Sequence, residues 1–292
     1  MQSLMMKENY NWRDWKNKIF YGVVVLLSLI TISPIIMIVY TLISKGLKQI
    51  NFDFFLKVAP DPLQAMTAVS SHEIIPGGIA NGILGTVVIV IVAALMAVPI
   101  SIITGIFLYE NQESRYANVV RNLTEILQGV PSIVLGIISY LWIVKGLTKG
   151  YSAFAGSVAL AIMMLPLIIR STEETMKMIP LSIKEAGAAL GVPYFKIMLK
   201  VMIPTGFSGL LTGILLAISR ILGETAPLLL TILGNTNINL DLSKPTSAVP
   251  LQIWEFYNNP NMIDLVWSSS LFLMILVLAL NLIAKRISSR FN

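Results

Sequence analysis

The sequence predicts an all-α membrane protein that crosses the bilayer six times. Of its 292 residues, 55% are hydrophobic and 12% are charged, whereas a soluble domain carries about 25% charged residues. Six stretches lack charged residues over about 20 positions, the length of a helix that crosses a bilayer. They are continuous, unlike the short alternating segments of a membrane β-barrel, and a helix satisfies its own backbone hydrogen bonds in lipid. This composition excludes an ordinary soluble enzyme, a disordered chain and a nucleic-acid-binding domain.

The first predicted span covers residues 19–44 and follows a cytoplasmic segment, residues 1–18. Its apolar part is longer than the roughly 7–15 residues of a signal peptide, so we expect a retained membrane anchor. The fifth span stays apolar beyond Arg220 and Glu224 as far as Leu233, which puts two charges inside it. The five later spans form one core, residues 75–285, and are expected at residues 83–109, 126–144, 150–169, 201–219 and 265–284.

Prolines and glycines within these spans predict local departures from straight helices. Pro131 and Pro166 are expected to kink their helices or to begin them after a break. Gly129 and Gly136 are expected to allow close packing between helices.

Lysine and arginine are distributed unequally between the two sides of the membrane. With the N-terminus inside, fourteen of the 21 Lys and Arg residues fall in cytoplasmic segments and six in outer segments, while Arg220 lies within a span. Cytoplasmic loops are enriched in Lys and Arg, so both termini are expected in the cytoplasm. Two larger outer loops are expected, at residues 45–82 and 234–261. The first contains His72, expected to be solvent-exposed, and the second should form ordered turns more than helix.

Residue counts and motifs exclude several kinds of site. The chain has no cysteine and one histidine, so no thiolate or multi-histidine metal site is expected. It has no Gly-x-x-x-x-Gly-Lys-Ser/Thr loop, the phosphate-binding loop of many nucleotide-hydrolysing proteins. We find no nucleophile triad and no catalytic pair of acids, so no catalytic residue is expected.

The largest cytoplasmic loop, residues 171–202, contains a predicted short helix. Ser182 with Glu185 three positions later is typical of a capping box at a helix start, and Gly191 is typical of a helix end. Ala186 and Gly187 follow Glu185 directly. Helix signals alone do not distinguish a docking element from an amphipathic surface helix with no special role.

Arg220 is expected near the middle of the bilayer, about 15 residues into the fifth span at about 1.5 Å per residue. A charge at that depth costs on the order of 3 kcal/mol, and Glu224, one turn later, can pair with it. The pair should face a water-filled path or a partner subunit, and the alternative is a buried ion pair that fixes helix packing. The planar guanidinium suits phosphate-like oxyanions, and Glu224 can accept a hydrogen bond from an anion that still carries a proton.

Several stretches resemble the phosphate importer permeases of the ABC transporters. Gly187 and Ile203 stand where the family's EAA loop usually has alanine and leucine. The resemblance extends from about residue 81 to the C-terminus, and the motif order with one N-terminal span resembles the PstA-type subunit. The stretches that carry it are the EAA-like loop with Glu185, Ala186, Gly187, Gly191 and Ile203-Pro204, and the segments 128–136, 165–174 and 219–227.

The resemblance implies a type I ABC importer permease with its core at residues 75–285. Within it, the loop 171–202 would carry a coupling helix that docks on an ATPase. The resemblance assigns this coupling to Glu185, Ala186, Gly187 and Gly191.

The expected substrate path consists of Arg220 and Glu224, with Thr225 beside them in the resembling segment 219–227, and Arg170 at the cytoplasmic end of the fourth span. Arg170 could instead be an ordinary positive anchor on the cytoplasmic side, or a partner for Glu173 or Glu174.

The resemblance also implies a setting in the bacterial inner (plasma) membrane and a set of partners. These are a second permease subunit of the PstC type, two ATPase subunits of the PstB type and an extracytoplasmic phosphate-binding protein of the PstS type. ATP would be bound by the ATPase subunits, and no cofactor is expected in this chain.

Three other functions stay open at the level of sequence. The chain could be the permease of another oxyanion importer, for sulfate or molybdate, although the surroundings of Arg220 and Glu224 favour phosphate. It could be a proton-coupled secondary transporter in which Glu224 carries the proton, but the EAA-like loop would then have no role. A membrane enzyme or scaffold has no recognisable constellation of residues to support it.

Overall fold

A computed structural model describes residues 2–71 and 73–291, so His72 lies outside the described residues. The described part consists of helices and connecting loops, which confirms the predicted all-α class. Wider π-type turns over Tyr140–Leu147 and Met198–Met202 continue two of the helices. The α-helices are α1 (Gln2–Gly46), α2 (Phe52–Leu56), α3 (Pro62–Ser70), α4 (Ala80–Glu110), α5 (Arg115–Gly129), α6 (Ser132–Ser139), α7 (Ala153–Met178), α8 (Leu181–Ala189), α9 (Tyr194–Ile197), α10 (Ile203–Thr205), α11 (Phe207–Ile221), α12 (Ala226–Leu229), α13 (Val249–Tyr257) and α14 (Ile263–Phe291).

Four regions of continuous helix, within α1, α4 and α7 and around α14, are long and apolar enough to cross a membrane. Two further spans are bent. Helix α5 meets α6 and its π-type continuation at 102°, and the segment Tyr194–Thr205 meets α11 at 68°. If each bent pair is one span, the described residues cross the membrane up to six times, as the sequence predicts. The chain is a multi-pass membrane protein.

The third predicted span, residues 126–144, is broken at Val130 and Pro131, and α6 begins directly after Pro131, one of the two outcomes expected for that proline. Both residues have extended backbones, with φ −69° and ψ 130° at Val130 and φ −56° and ψ 135° at Pro131. Proline has no amide hydrogen for the helical ladder and disfavours helical angles in the residue before it. Pro166, in contrast, lies inside α7 without interrupting it.

Helices α4 and α7 pack along each other and form the centre of the bundle. Ala93 of α4 and Ala161 of α7 are buried in the central core. Gly105 of α4 lies so close to Thr172 of α7 that a Cβ would come within 2.5 Å of the threonine Cβ. Small residues therefore let the two backbones approach, which is how membrane helices gain packing contacts. Helices α6 and α11 pack against α7 as well.

Helix α1 stands apart from the bundle over most of its length. Its 45 residues give a length of about 67 Å, which exceeds the about 30 Å hydrocarbon core of a bilayer. Residues 12–38 are all exposed. The helix joins the bundle at its C-terminal end, where Gly46 packs against Leu271 of α14 and the Gly46 carbonyl accepts a 2.7 Å hydrogen bond from Ser268.

Helix α13 covers one end of the bundle, which we name the α13 end. It lies within the segment 234–261, where the structure has more turn than helix, as predicted, with α13 as the helical part. The nine-residue helix forms because Pro250 suits a first helical turn and because Val249, Leu251 and Phe256 are buried against the bundle. Its first amide, at Val249, donates a 2.9 Å hydrogen bond to Thr86 of α4.

Asn81, at the start of α4, holds the loops of the α13 end together. Its Nδ2 donates to the Asn235 carbonyl at 2.7 Å. Its Oδ1 accepts from Gln252 Nε2 at 2.7 Å and from the Ala59 amide at 3.2 Å. At the opposite end of the bundle, which we name the α8 end, α4 finishes at Glu110 beside α8.

Candidate functional site

Arg220 lies in the last turn of α11, on a side of that helix that faces away from the rest of the chain. Another side of α11 packs on α7, where Gly213 meets Ser171 without room for a Cβ. Arg220 and Leu216, one turn earlier, are exposed. Within the described part of the chain, no carboxylate lies within 4.0 Å of the Arg220 guanidinium. The charge is therefore presented to whatever lies beside α11 in the membrane.

The chain turns sharply after α11, before α12 begins at Ala226. The Glu224 amide bonds to the Ile221 carbonyl at 3.1 Å in this turn. Glu224 therefore does not follow Arg220 on the face of one helix, and the predicted i,i+4 pair is wrong. Glu224 and Thr225 are both half-buried within the turn.

Two residues explain why the fifth span does not continue as helix to Leu233. Gly223 is a poor helix former, at a cost of about 1 kcal/mol relative to alanine. Pro227 lies in the first turn of α12, where it has no amide to donate and its ring would clash with the preceding turn of a continuous helix. The break therefore falls between them.

Helix α6, which follows the break at Pro131, packs against α12. A Cβ on Gly136 of α6 would lie 2.7 Å from Pro227 Cα, so the two short helices touch backbone to backbone. Gly129 has no such neighbour, since nothing lies within 4 Å of its Cβ position, and only one of the two glycines serves close packing within the chain. Irregular backbone at membrane depth persists where it is buried in protein or lines a cavity. Arg220, Glu224 and Thr225 therefore lie on a segment suited to line a path.

Arg170 lies in a different place, in a cleft near the α8 end formed by α5 and α7. The cleft has a volume of about 130 Å³, and Arg220 is not among its lining residues. Arg170 is exposed, and its Nε donates to Glu174 Oε1 at 3.1 Å. Beside it, Glu173 accepts from Arg121 Nη2 at 2.9 Å and from Lys177 Nζ at 2.6 Å. No local sequence pattern predicts the contact between Arg121 and Glu173, because the two residues are 52 positions apart in the chain.

Helix α8 contains Glu185, Ala186 and Gly187. None of its residues is buried, and Glu185 and Ala186 are exposed. Gly187 approaches the bundle, where its Cβ position lies 3.1 Å from Ile197 Cδ1. The helix therefore presents an open face at the end of the bundle.

The predicted C-terminal end of α8 is correct, and its predicted N-terminal cap is not. Gly191 has φ +70°, a left-handed conformation that ends a helix as expected. The predicted capping box is wrong, because the helix begins at Leu181 and no side chain caps it. Pro180 occupies the N-cap with φ −56° and ψ 131°. Ser182 consequently lies inside the first turn.

Residues 97–292 match the family of binding-protein-dependent transport system inner membrane components. The match covers about two thirds of the chain and contains the α8 segment and both helix breaks. The chain belongs to this family. It is a multi-pass transport component, and permeases of such importers work with an ATPase and other subunits.

Curated relatives cover nearly the whole permease. The phosphate transport system permease protein PstA of Xylella fastidiosa (strain Temecula1) is 37% identical over 253 residues, which span 86% of this chain and 84% of the relative. The protein of the same name from Yersinia pestis is 35% identical over 282 residues, which span 96% and 92%. The PstA of Pasteurella multocida is 32% identical over 284 residues.

A solved structure supports the architecture of the permease. A chain of the methionine ABC transporter MetNI, in an inward-facing conformation, superposes with a TM-score of 0.60 over 72% of this chain and 94% of that chain. The sequence identity is 20%, so the likeness concerns the fold alone. It confirms the expected type I ABC importer architecture.

Proposed function

We propose that this chain is a permease subunit of an ATP-driven phosphate importer, in which it forms part of the translocation path. The observation that carries the proposal is the alignment of PstA permeases from several bacteria with up to 96% of the chain. The same alignment favours phosphate over sulfate or molybdate. No covalent chemistry is assigned to the chain.

Arg220 is the proposed anion contact in this path. Its guanidinium is unpaired among the described residues and lies at the end of an apolar helix. An arginine binds phosphate oxygens through parallel hydrogen bonds from its planar fork. Glu224 and Thr225 are proposed to meet the same anion in the following turn, where Glu224 accepts a hydrogen bond from protonated phosphate. Sulfate at neutral pH has no proton to donate.

Arg170 is proposed to act further along the path, at its cytoplasmic mouth. It keeps part of its guanidinium free beside the paired Glu174, in the cleft near the α8 end. The orientation that this requires puts the α8 end and both termini in the cytoplasm. The α13 end then faces the outside of the bacterial inner membrane, where a phosphate-binding protein of the PstS type would deliver the anion.

The remaining partners are a PstC-type permease subunit beside α11 and two PstB-type ATPase subunits, which bind ATP. Glu185, Ala186, Gly187 and Gly191 are proposed to place α8 in a groove of one ATPase. A short rigid helix transmits a displacement that a flexible loop would absorb. Switching between outward and inward access would then occur around Arg220.

Phosphate uptake by proteoliposomes that contain the whole complex tests the proposal. We expect Arg220→Gln to lower ATP-dependent phosphate uptake by about tenfold or more, because hydrogen bonds to charged groups contribute about 1.5–3 kcal/mol. ATP hydrolysis and assembly should persist. Arg286→Gln is the matched control, since Arg286 is exposed near the end of α14 and should leave uptake unchanged. Normal phosphate uptake by Arg220→Gln would show that Arg220 does not contact the transported anion. Absence of phosphate uptake by the parent complex would contradict the proposed function.

A further inference from the structure

Helix α8 contacts the bundle through two neighbouring side chains: Ile183 packs against the apolar cluster at the α8 end, and Lys184 forms an ion pair with α4. The Lys184 Nζ donates to both carboxylate oxygens of Glu110, at 3.0 Å and 2.7 Å. Glu110 is the last residue of α4, and the two residues are 74 positions apart in sequence. Within the described residues, no other α8 side chain hydrogen-bonds to a helix of the bundle.

The ion pair is enclosed by two aromatic rings. Lys184 Nζ lies 5.6 Å from the centre of the Tyr109 ring and 5.2 Å from the centre of the Tyr194 ring. The Lys184 and Glu110 side chains are 25% and 19% exposed. An ammonium ion held by a carboxylate and by two ring faces has less freedom than one in an exposed pair, which contributes little on average. We name these four residues the Lys184 joint.

The Lys184 joint connects α8 with the helix that runs the length of the bundle. Helix α4 is helical over all of its 31 residues, and it packs along α7. Its other end carries Asn81, which binds Asn235 and Gln252 at the α13 end. Glu110 and Asn81 therefore lie on one helix, near its two ends, although Pro99 lies between them.

We propose that Lys184 is a positioning residue that transmits movement from α8 to α4, so that ATP hydrolysis in the partner is coupled to switching of the permease. The proposal rests on the proposed docking of α8 on an ATPase. Lys184 touches neither phosphate nor ATP. Its loss should separate hydrolysis from transport and leave the complex assembled.

The test is the number of phosphate ions taken up per ATP hydrolysed, measured in proteoliposomes with the complete complex. Lys184→Met keeps the length of the side chain and removes its charge. We expect the ratio to fall about fivefold or more, the lower range of measured couplings between sites. Lys184→Arg, which keeps a positive charge beside Glu110 and the two ring faces, should keep at least half of the parent ratio.

Lys196→Met is the matched control. Lys196 is exposed on α9, and no ion pair involves it among the described residues, so its loss should leave the ratio unchanged. If Lys184→Met does not assemble, Glu110→Gln, which keeps one acceptor and the shape of the side chain, must lower the ratio instead. If the variant that assembles couples uptake to hydrolysis as well as the parent, or if Lys184→Arg loses as much coupling as Lys184→Met, the role proposed for Lys184 is wrong. Absence of uptake in the parent complex would instead overturn the proposed function.

Discussion

Gly136 and Gly129 lie on either side of the break at Pro131 and differ in their surroundings. Gly136 faces Pro227 so closely that a Cβ would lie 2.7 Å from its Cα, whereas nothing lies within 4 Å of a Cβ on Gly129. Gly136→Ala should therefore lower the free energy of unfolding by about 1–3 kcal/mol, the usual effect of overpacking. Thermal unfolding of the purified chain in detergent measures this.

Gly129→Ala is the control at the residue scale, because it adds the same methyl group in open space. It should leave the unfolding midpoint unchanged or raise it, since alanine is the better helix former by about 1 kcal/mol. Equal midpoints for the two variants would mean that α6 and α12 are farther apart than the structure has them.

At the scale of single elements, α13 depends on a hydrogen bond from another helix. Its Val249 amide donates to Thr86 Oγ1, and Thr86 and Val249 are 6% and 1% exposed. Thr86→Val keeps the shape of the side chain but leaves this amide without its partner, which costs about 1–3 kcal/mol when the group is buried. Hydrogen exchange should therefore become faster in residues 246–257.

Thr104→Val, further along α4, provides the comparison for that measurement. The Thr104 hydroxyl bonds to the Ile100 carbonyl of its own helix, so its removal should not change exchange in α13. If exchange rises equally in both variants, the effect belongs to α4 as a whole and the proposed attachment of α13 is wrong.

The elements that the sequence predicted well are those that local pattern determines. The central spans α4 and α7 follow from apolar windows, because a helix in lipid needs only length and absence of charge. The helix breaks depend on packing as well. Pro131 and Pro166 look alike in sequence, yet of the two only Pro131 lies at a break, between α5 and α6.

The same limit applies to the candidate site. Two charges in an apolar stretch single out Arg220 and Glu224, and the resemblance of the segment 219–227 adds Thr225. That Arg220 and Glu224 do not pair is not predictable from this pattern. Periodicity suggested one helix, and the interruption between Gly223 and Pro227 overrides it. The contacts of Lys184 with Glu110 and of Arg121 with Glu173 join residues distant in sequence, and no local pattern predicts them.

At the scale of the whole molecule, the orientation of the bundle decides whether the α8 end or the α13 end faces the cytoplasm. Lys and Arg are concentrated in the loops of the α8 end and in the terminal segments, which favours a cytoplasmic location for both. The sequence has no cysteine, so each introduced cysteine is the only thiol in the chain. Labelling of that thiol therefore reports the orientation of the protein in the membrane. Ser71 follows α3 near the α13 end, and Ser289 lies near the end of α14, and both are exposed.

We expect Ser71→Cys to react with a membrane-impermeant maleimide in intact spheroplasts. Ser289→Cys should react only after lysis, because a charged reagent does not cross the hydrocarbon core. Ser243→Cys lies in the exposed loop before α13. It should behave like Ser71→Cys, because both residues lie at the α13 end of the bundle. The reverse pattern would put α8 outside the cell, beyond reach of any cytoplasmic ATPase, and the proposed coupling would fail together with the orientation.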